Sequence, residues 1–352
     1  TNKMKLLIIT QKVDINDDLL GIYHEWIKKL AQKVDYISVI CLYKGRYELP
    51  QNVKVYSLGK EVRVSRLIYL FNFYKYIWKF RSDYDTVFVH MNPEYIVLGG
   101  LFWKITGKKI VLWYAHYLSN LKLRLAMIFA DKIITSMRLA FPLKSVKLEV
   151  LQQGIDINKF SPSNRNPNDD ILNILYLGRI SPVKNLETLL IAASKIRGNG
   201  INFHLDIIGE PTNNDHKYSE KIKKLAETLN LQDCVSFLGK LKNSDTPVAY
   251  NKHDLFVNLT CSGSFDKTIL EAMSCSLPIL VSNRAYEEIL GDLKEWLMFK
   301  ENDPEDLADK IECFINLTVD KKNKIKKTLR EIVIDKHSLD DLIDKLAHSF
   351  ET

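Results

Sequence analysis

Residues 254–283 read DLFVNLTCSGSFDKTILEAMSCSLPILVSN. The apolar run Leu255–Asn258 predicts a buried strand, and a loop rich in Ser and Gly follows it. A helix is expected from Lys267, and a second buried strand at Pro278–Val281. Strands that alternate with helices favour a parallel sheet covered by helices on both faces. The stretch therefore predicts an α/β fold.

The same alternation extends outward through the chain. In the C-terminal half, further strands are predicted at Ile171–Leu177, Asn202–Ile208 and Val235–Leu238. In the N-terminal half, strands are predicted at Lys5–Ile9, Tyr36–Leu42, Val53–Ser57, Thr86–Val89, Lys109–Trp113, Lys132–Thr135 and Glu149–Leu151. Amphipathic helical patterns lie between them, for example at Leu19–Gln32.

A polar segment separates the two series of strands. Residues 157–170, INKFSPSNRNPNDD, are rich in Asn and Pro, which is typical of a linker. We expect two doubly wound Rossmann-like lobes, at 1–160 and 171–335, that face a central cleft where ligands of such folds bind. Asp303 and Pro304 predict the start of a helix. Residues 336–352 are expected to form a closing helix that packs back on the N-terminal lobe.

The composition limits the class of protein. The chain has 352 residues, 46% hydrophobic and 26% charged, which suits two globular domains and excludes a disordered or fibrous chain. Its five cysteines are odd in number and widely spaced, so neither a disulfide framework nor a metal site is expected. We predict buried free thiols instead.

Charge and hydropathy narrow the location and the partners. No apolar run reaches the roughly 18 residues of a membrane helix, and the first apolar run is too short for a signal sequence. We expect a cytoplasmic protein, with a peripheral position at the inner face of the membrane as the alternative. The net charge of +7 suits a nucleotide, a phosphorylated lipid or a membrane surface. No nucleic-acid partner is expected.

A second stretch, LYLGRISPVKNLETLL at residues 175–190, carries two cations at a strand–helix junction. The predicted strand ends at Gly178, Arg179 follows, and Lys184 precedes the next helix. Two cations at the carboxyl end of a parallel strand, beside a helix N-terminus, form a strong site for a diphosphate. The alternative is that both side chains are solvated surface cations.

The loop within 254–283 offers a second set of ligand contacts. Gly263 and Ser264 can turn their N–H groups toward anionic oxygens, with the dipole of the following helix behind them. Glu271, one turn into that helix, is suited to accept hydrogen bonds from a ribose diol. Its alternative is an ordinary surface glutamate.

Together these motifs resemble those of a known protein family. GR-x4-K, followed some eighty residues later by a strand, a small-residue loop and LEAM-x-C-x-LP, resembles glycosyltransferase family four. Gly154-Ile155-Asp156 and Phe160 are similar to its inter-lobe segment, and residues 301–348 to its closing helices. The resemblance covers nearly the whole chain and implies the two-lobed GT-B fold.

The resemblance also implies roles for single residues. Gly178, Arg179 and Lys184 would hold the diphosphate of a nucleotide sugar in the C-terminal lobe, and Glu271 its ribose. His116, in VLWYAHY, resembles the family's histidine near the donor sugar, and we place it with Arg179 and Lys184 among the catalytic residues; its alternative is a histidine packed in the core. The N-terminal lobe would take the acceptor. No metal or other cofactor is expected, because the two cations do the work of a divalent ion.

The chain departs from the family pattern at two places. Gly263 stands where the family usually has a Glu that contacts the sugar. Ser264, Phe265, Asp266 and Lys267 are therefore expected to contact the donor instead, through backbone amides and the Asp266 side chain.

The second departure is the absence of the usual Gly-Gly after the first strand, where TQKVDINDDLLG offers Asp17 and Gly21. These two are acceptor-side candidates or parts of a helix cap. His90, at the end of another strand, is a further acceptor-side candidate.

The resulting prediction is a retaining glycosyltransferase. It would move a sugar from a UDP or GDP sugar to a hydroxyl of a glycan or lipid-linked acceptor, in the synthesis of a cell-envelope polysaccharide, glycolipid or glycan. One alternative is an inactive glycosyltransferase-like binding subunit, which Gly263 favours and the presence of Arg179, Lys184 and Glu271 disfavours. The other is a nucleotide-sugar epimerase of the same fold.

The segment KEVRVSRLIYLFNFYKYIWKFR, residues 60–81, has six basic residues, one acidic residue and many aromatic ones. A basic aromatic helix can lie in a membrane interface and bind anionic headgroups, so a peripheral membrane contact is one interpretation. The favoured alternative is a lobe helix with its apolar face in the core and a solvated basic face.

Overall fold

A computed structural model describes residues 4–17, 20–116, 118–163, 171–262 and 265–351. They form two compact units. Unit 1 comprises the described residues up to Gly154 together with those from Leu339, and unit 2 comprises the described residues of Ile155–Ser338. Residues 164–170 of the predicted linker lie outside the described residues.

Twelve strands and thirteen α-helices occur in the described part of the chain. The strands are β1 (Lys5–Val13), β2 (Tyr36–Lys44), β3 (Val53–Ser57), β4 (Thr86–His90), β5 (Lys109–Trp113), β6 (Lys132–Thr135), β7 (Leu148–Val150), β8 (Leu172–Leu177), β9 (Phe203–Ile208), β10 (Val235–Gly239), β11 (Leu255–Asn258) and β12 (Ile279–Val281). The helices are α1 (Gly21–Leu30), α2 (Arg66–Lys79), α3 (Glu94–Ile105), α4 (Leu121–Phe129), α5 (Leu186–Gly198), α6 (His216–Thr228), α7 (Thr246–Lys252), α8 (Lys267–Ser274), α9 (Glu287–Leu290), α10 (Lys294–Leu297), α11 (Pro304–Ile315), α12 (Val319–Lys336) and α13 (Leu339–Glu351).

Unit 1 contains a parallel sheet in the order β3-β2-β1-β4-β5-β6-β7. The interior strand β1 is buried on both faces, which explains its uninterrupted apolar run Leu6–Ile9. The strand continues beyond the predicted end at Ile9, because Lys12 and Val13 still pair with β2. Helices α1 and α13 cover one face of the sheet, and α2, α3 and α4 cover the other.

Unit 2 contains a parallel sheet in the order β10-β9-β8-β11-β12. Helices α5, α6 and α11 pack on one face and α7, α8 and α12 on the other. In β8, Ile174 and Tyr176 point to the first layer and Leu175 to the second, as the alternation of strand side chains requires. The predicted architecture of two doubly wound Rossmann-like sheets is thus confirmed.

In both sheets the order in which successive strands are added reverses at one point. After β8 the chain adds β9 and β10 on one side, and then returns to place β11 and β12 on the other. In unit 1 the same reversal separates β1 and β4. Ligands of open α/β sheets bind outside the carboxyl ends of the strands at such a switch point. The loops after β8 and β11 are therefore where a site is expected in unit 2.

Two further expectations concern thiols and membrane spans. The prediction of buried thiols holds for Cys41 and Cys275 but is wrong for Cys261 and Cys313, which are exposed. Cys261 lies in the loop after β11 and Cys313 on the outer side of α11, where neither strand nor core packing covers them. Among the described helices, none is both long and apolar enough to cross a membrane.

Candidate active site

The first part of the site is the backbone that leaves β8. Gly178 N–H donates to the Ile208 carbonyl (3.0 Å), and the Tyr176 hydroxyl donates to the Arg179 carbonyl (2.9 Å). Gly209 has a φ of +150°, and a Cβ there would lie 1.8 Å from the Gly178 oxygen. Only a glycine permits this approach of the loops after β8 and β9. The turn presents the Arg179 side chain to solvent.

Lys184 ends a short 3₁₀ turn, Pro182–Lys184, just before α5. Its side chain is only 11% exposed. The ammonium Nζ donates to Thr260 Oγ1 at 2.7 Å and to the Asp266 carboxylate. Among the described residues, two of the three N–H groups of the Lys184 ammonium therefore donate to the loop after β11, and the third is left for another acceptor. The structure thus joins the two predicted motifs through an ion pair.

Asp266 is the centre of this contact. Its Oδ2 accepts from Lys184, from Asn258 Nδ2 (3.0 Å) and from Thr260 Oγ1 (2.9 Å). Its Oδ1 accepts from the backbone N–H and the hydroxyl of Thr268, so Asp266 also caps α8. Burial opposes ionisation of the carboxyl, but the Lys184 charge and these hydrogen bonds hold the pKa of Asp266 well below its usual range.

Glu271, a buried carboxylate one turn into α8, is paired with the half-buried Lys267 at the start of that helix. Glu271 is 3% exposed and accepts a hydrogen bond from the Tyr250 hydroxyl at 2.9 Å. Lys267 Nζ lies 3.7 Å from Glu271 Oε1 and has no hydrogen-bond partner among the described residues, although it is buried. Burial raises the pKa of Glu271, and the Lys267 charge partly offsets the increase. The predicted alternative of a surface glutamate is excluded.

Side-chain contacts fix both ends of the loop between β11 and α8. Before Gly263 and Ser264, which lie outside the described residues, Ser262 N–H donates to Glu301 Oε1 at 2.7 Å. After them, the Phe265 ring stacks on Tyr286 with centroids 5.3 Å apart, and the Tyr286 hydroxyl donates to the Asp266 carbonyl at 2.7 Å. Residues far along the chain therefore hold this loop in place.

A pocket of about 280 Å³ lies between the loops after β8 and β11. Its lining combines the start of α5, the exposed thiol of the β11 loop and a hydroxyl from α6. The lining residues are Pro182, Val183, Asn185, Glu187, Tyr218, Leu259, Cys261, Glu301 and Asn302. The pocket is therefore at the switch point of the unit 2 sheet.

The other predicted site residues belong to unit 1. His116, two residues beyond Tyr114, is half-buried, and its Nδ1 accepts from Leu118 N–H at 3.0 Å. His90, at the end of β4, stacks on the Tyr23 ring with centroids 4.0 Å apart. Burial lowers the pKa of His90 to about 3, so the ring is neutral at physiological pH.

Asp17 and Gly21 form the entry to α1. Asp17 Oδ1 accepts from Leu20 N–H at 2.7 Å, and its Oδ2 accepts from Lys12 Nζ at 2.7 Å. A Cβ on Gly21 would lie 3.2 Å from the Ile15 carbonyl oxygen. These contacts are those of a helix entry, which was the alternative given to both residues.

The match to a protein family falls within unit 2. The family described as glycosyl transferases group 1 matches residues 156–332, half of the chain. The chain belongs to the glycosyl transferases group 1 family. The matched residues include Gly178, Arg179, Lys184 and Glu271, so the predicted family is confirmed.

Relatives of this chain share limited identity with it. D-inositol 3-phosphate glycosyltransferase of Mycolicibacterium smegmatis is 27% identical over 144 residues, which cover 39% of this chain and 32% of the relative. Alpha-monoglucosyldiacylglycerol synthase of Streptococcus pneumoniae is 25% identical over 222 residues, covering 60% and 46%. The matched stretches thus span between about a third and a half of these relatives.

Solved structures of the same architecture cover the whole chain. The Anabaena protein HepE, crystallised in complex with UDP and glucose, has a TM-score of 0.78 at 18% identity and covers 99% of this chain and 100% of its own. At this identity the likeness establishes the fold.

Several residues of the candidate site were not predicted. Asn258 and Thr260 are polar residues at the end of a buried strand, a signal that could have identified them. Tyr250 and Glu301 carry no such signal, because they come from a helix and a loop outside both motifs. Among the described residues, no group of three or more His, Cys, Asp or Glu side chains is placed to hold a metal ion.

Proposed function

We propose that the chain is a retaining glycosyltransferase that takes a sugar from a nucleotide diphosphate sugar and transfers it to a hydroxyl acceptor. The product would be a cell-envelope polysaccharide, a glycolipid or another glycan. Family membership supports sugar transfer. The named relatives act on an inositol phosphate and make a glucosylated diacylglycerol, and HepE was crystallised with UDP and glucose, which supports a nucleotide donor and a polyhydroxyl or lipid acceptor.

One observation carries the proposal. Lys184 and Arg179 both lie on the connection between β8 and α5, at the switch point of the unit 2 sheet. Lys184 is held by Thr260 and Asp266 with one N–H remaining, and the exposed Arg179 side chain has no hydrogen bond or ion pair among the described residues. A fixed ammonium and a free guanidinium suit the two phosphates of a leaving diphosphate.

The reaction follows from the leaving group. The bond between the sugar's anomeric carbon and the phosphate oxygen breaks, and Arg179 and Lys184 stabilise the charge that develops on the diphosphate. The acceptor hydroxyl attacks from the same side of the sugar, and its proton passes to the leaving phosphate oxygen. No carboxylate nucleophile and no metal are part of this mechanism. We retain His116 as the candidate contact to the donor sugar.

The buried carboxylates receive separate roles in the proposal. Both oxygens of Asp266 are engaged by protein donors, so we assign Asp266 to positioning Lys184 and capping α8 rather than to contacting the sugar through its side chain. Glu271 is proposed to accept from the nucleotide ribose. The Nζ of Lys267 is buried and has no hydrogen-bond partner among the described residues. We propose that it donates a hydrogen bond to an oxygen of the nucleotide sugar.

Kinetics of two alanine variants test the diphosphate contact. A panel of UDP and GDP sugars first identifies the donor from the rise in melting temperature, since a ligand at 100 times its Kd stabilises by about 2.7 kcal/mol. Arg179→Ala and Lys184→Ala should then each lower kcat/KM at least ten-fold, about 1.4 kcal/mol. Lys217→Ala, an exposed cation on α6, is the matched control. Unchanged kinetics in a folded Lys184→Ala enzyme would contradict the proposal.

A further inference from the structure

The helices α2, α3 and α4 form one continuous layer on unit 1. Their inner side chains, among them Phe73, Trp103 and Leu123, pack on the sheet in a single cluster. The Tyr74 hydroxyl of α2 donates to the Leu98 carbonyl of α3 at 3.1 Å, and the Trp78 and Phe102 rings have centroids 5.7 Å apart. The layer therefore has a single outer face.

That outer face is apolar, although it is not part of the core. Along α2, exposed apolar side chains recur at helical spacing, and the same holds for α3 and α4. The most exposed are Leu67 (78%), Ile105 (76%), Leu121 (70%), Phe71 (68%), Ile128 (67%), Leu101 (63%) and Trp78 (60%). Contiguous exposed apolar surface of this kind marks a protein or membrane contact. The expectation that the apolar side of segment 60–81 lies in the core is therefore only half correct.

The positive charge of α2, α3 and α4 favours an anionic partner for this face. The three helices contain six Lys or Arg residues and one acidic residue, Glu94. A groove of about 840 Å³ on the layer is lined by aromatic rings and by Lys75, Lys79 and Arg81. Arg81 also lies over the Trp78 ring, 4.8 Å from its centroid. Cations and interfacial aromatic rings next to apolar side chains match the headgroup region of an anionic bilayer.

A second copy of the chain fits this face less well. A symmetric dimer would place the same cationic patch against itself, because a two-fold interface uses one surface on both subunits. Like charges would then be brought together as water is removed, which disfavours association. Lipid phosphates, by contrast, neutralise the cations while the apolar side chains enter the acyl boundary.

We propose that the outer face of α2, α3 and α4 docks on an anionic phospholipid membrane. The proposal concerns unit 1 alone and does not depend on the transfer reaction. Docking would bring the chain to a surface where lipid-linked hydroxyl compounds are concentrated. It would weaken as salt screens the cations, since surface attraction falls off within a Debye length.

Vesicle sedimentation of the whole chain, without donor or acceptor, tests the proposal. The wild type should sediment with vesicles of equal parts phosphatidylcholine and phosphatidylglycerol, and not with phosphatidylcholine alone. Replacing Lys75, Lys79 and Arg81 by Gln should weaken partitioning by about 100-fold, because each cation near an anionic surface contributes roughly five-fold. The apolar variant Phe71→Ser/Leu101→Ser should weaken it at least ten-fold.

Matched controls come from unit 2. Lys217→Gln/Lys324→Gln/Lys327→Gln removes three exposed cations, and Val248→Ser/Val319→Ser removes two exposed apolar side chains. Both control variants should bind like the wild type, and circular dichroism should show that all variants are folded.

Three results would overturn the proposal. The first is no sedimentation of the wild type with anionic vesicles. The second is equal loss of binding in the test and control variants. The third is a dimer in sedimentation equilibrium that Phe71→Ser/Leu101→Ser converts to monomer, which would assign the face to self-association. Loss of transfer activity with normal vesicle binding would count against the proposed function alone.

Discussion

The ion pair between Lys184 and Asp266 provides the sharpest test of how the site is held together. Both side chains are 11% exposed, and Asp266 has three further donors in Asn258, Thr260 and Thr268. Asp266→Asn removes the charge but keeps a good helix N-cap. Lys184→Met keeps the aliphatic stem and removes the ammonium. Each single variant leaves one buried group without its partner.

The magnitude follows from burial. Breaking a buried ion pair by removing one partner costs about 3–5 kcal/mol, and the small remaining exposure places this pair near the lower limit. We expect each single variant to lose about 3 kcal/mol of unfolding free energy. The double variant should lose less than the sum, with a coupling energy of about 2 kcal/mol.

The assay is a double-mutant cycle measured by chemical denaturation at pH 7. The control cycle uses Lys327→Met and Glu331→Gln, an exposed pair 3.7 Å apart in α12 of the same unit. Its coupling energy should stay below about 0.5 kcal/mol. Equal coupling in the two cycles would refute the assignment of a strong buried pair.

The dependence of the unfolding free energy on acidic pH gives a second readout of the same ion pair. Because the pKa of Asp266 is depressed in the folded state, its stabilisation is complete at neutral pH. It declines as the pH falls below about 4, where the unfolded carboxyl takes up a proton and the folded one does not. Asp266→Asn should remove this part of the pH dependence, and an unchanged acid profile would argue against the depressed pKa.

Three further predictions concern the site and its surroundings. Glu271→Gln should weaken nucleotide binding while NMR of the product shows the donor's anomeric configuration; a trapped covalent sugar on Glu271 would exclude the ribose role. A bound nucleotide should slow alkylation of the exposed thiol Cys261, which lines the pocket, and leave the alkylation rate of exposed Cys313 on α11 unchanged. If the nucleotide affected the two rates equally, it would bind elsewhere. Because the pKa of His90 is lowered to about 3, the folded ring excludes a proton that the unfolded chain binds below about pH 6.5. Unfolding free energy should therefore fall as the pH drops through that range, and His90→Asn should flatten the fall in urea denaturation series.

Local sequence features predicted most of the fold. The strands Val53–Ser57, Lys109–Trp113 and Lys132–Thr135 have the predicted bounds. Lys109–Trp113 is visible because buried parallel strands need continuous runs of apolar, β-forming residues, and the edge strand Val53–Ser57 because Val53 and Val55 alternate with polar Lys54. The start of α11 also follows from the sequence, since Asp303 caps it by accepting from Asp306 N–H at 3.0 Å. Such signals involve neighbouring residues and are therefore visible in the sequence.

The candidate site was predicted only in part. Arg179, Lys184 and Glu271 stand out because they occupy strand–helix junctions or the helix beside them, and the order of strands does bring the loops after β8 and β11 to one edge. The contact between Lys184 and Asp266 could not be predicted, because it joins residues 82 positions apart. The burial of Glu271 against Tyr250 likewise depends on how α7 packs against α8.

Periodicity and short motifs were enough to predict most of the strands and helices, the family, and the cations near the switch point. The pairing of charges and the exposure of apolar residues depend on three-dimensional packing, and the sequence did not predict them. Segment 60–81 shows the reason. Its helix has apolar residues on more than one side, and one sheet face can cover only the side that contains Phe73 and Ile77. The side that contains Phe71 and Trp78 remains in solvent, because burial depends on what lies opposite a residue and not on its own hydrophobicity.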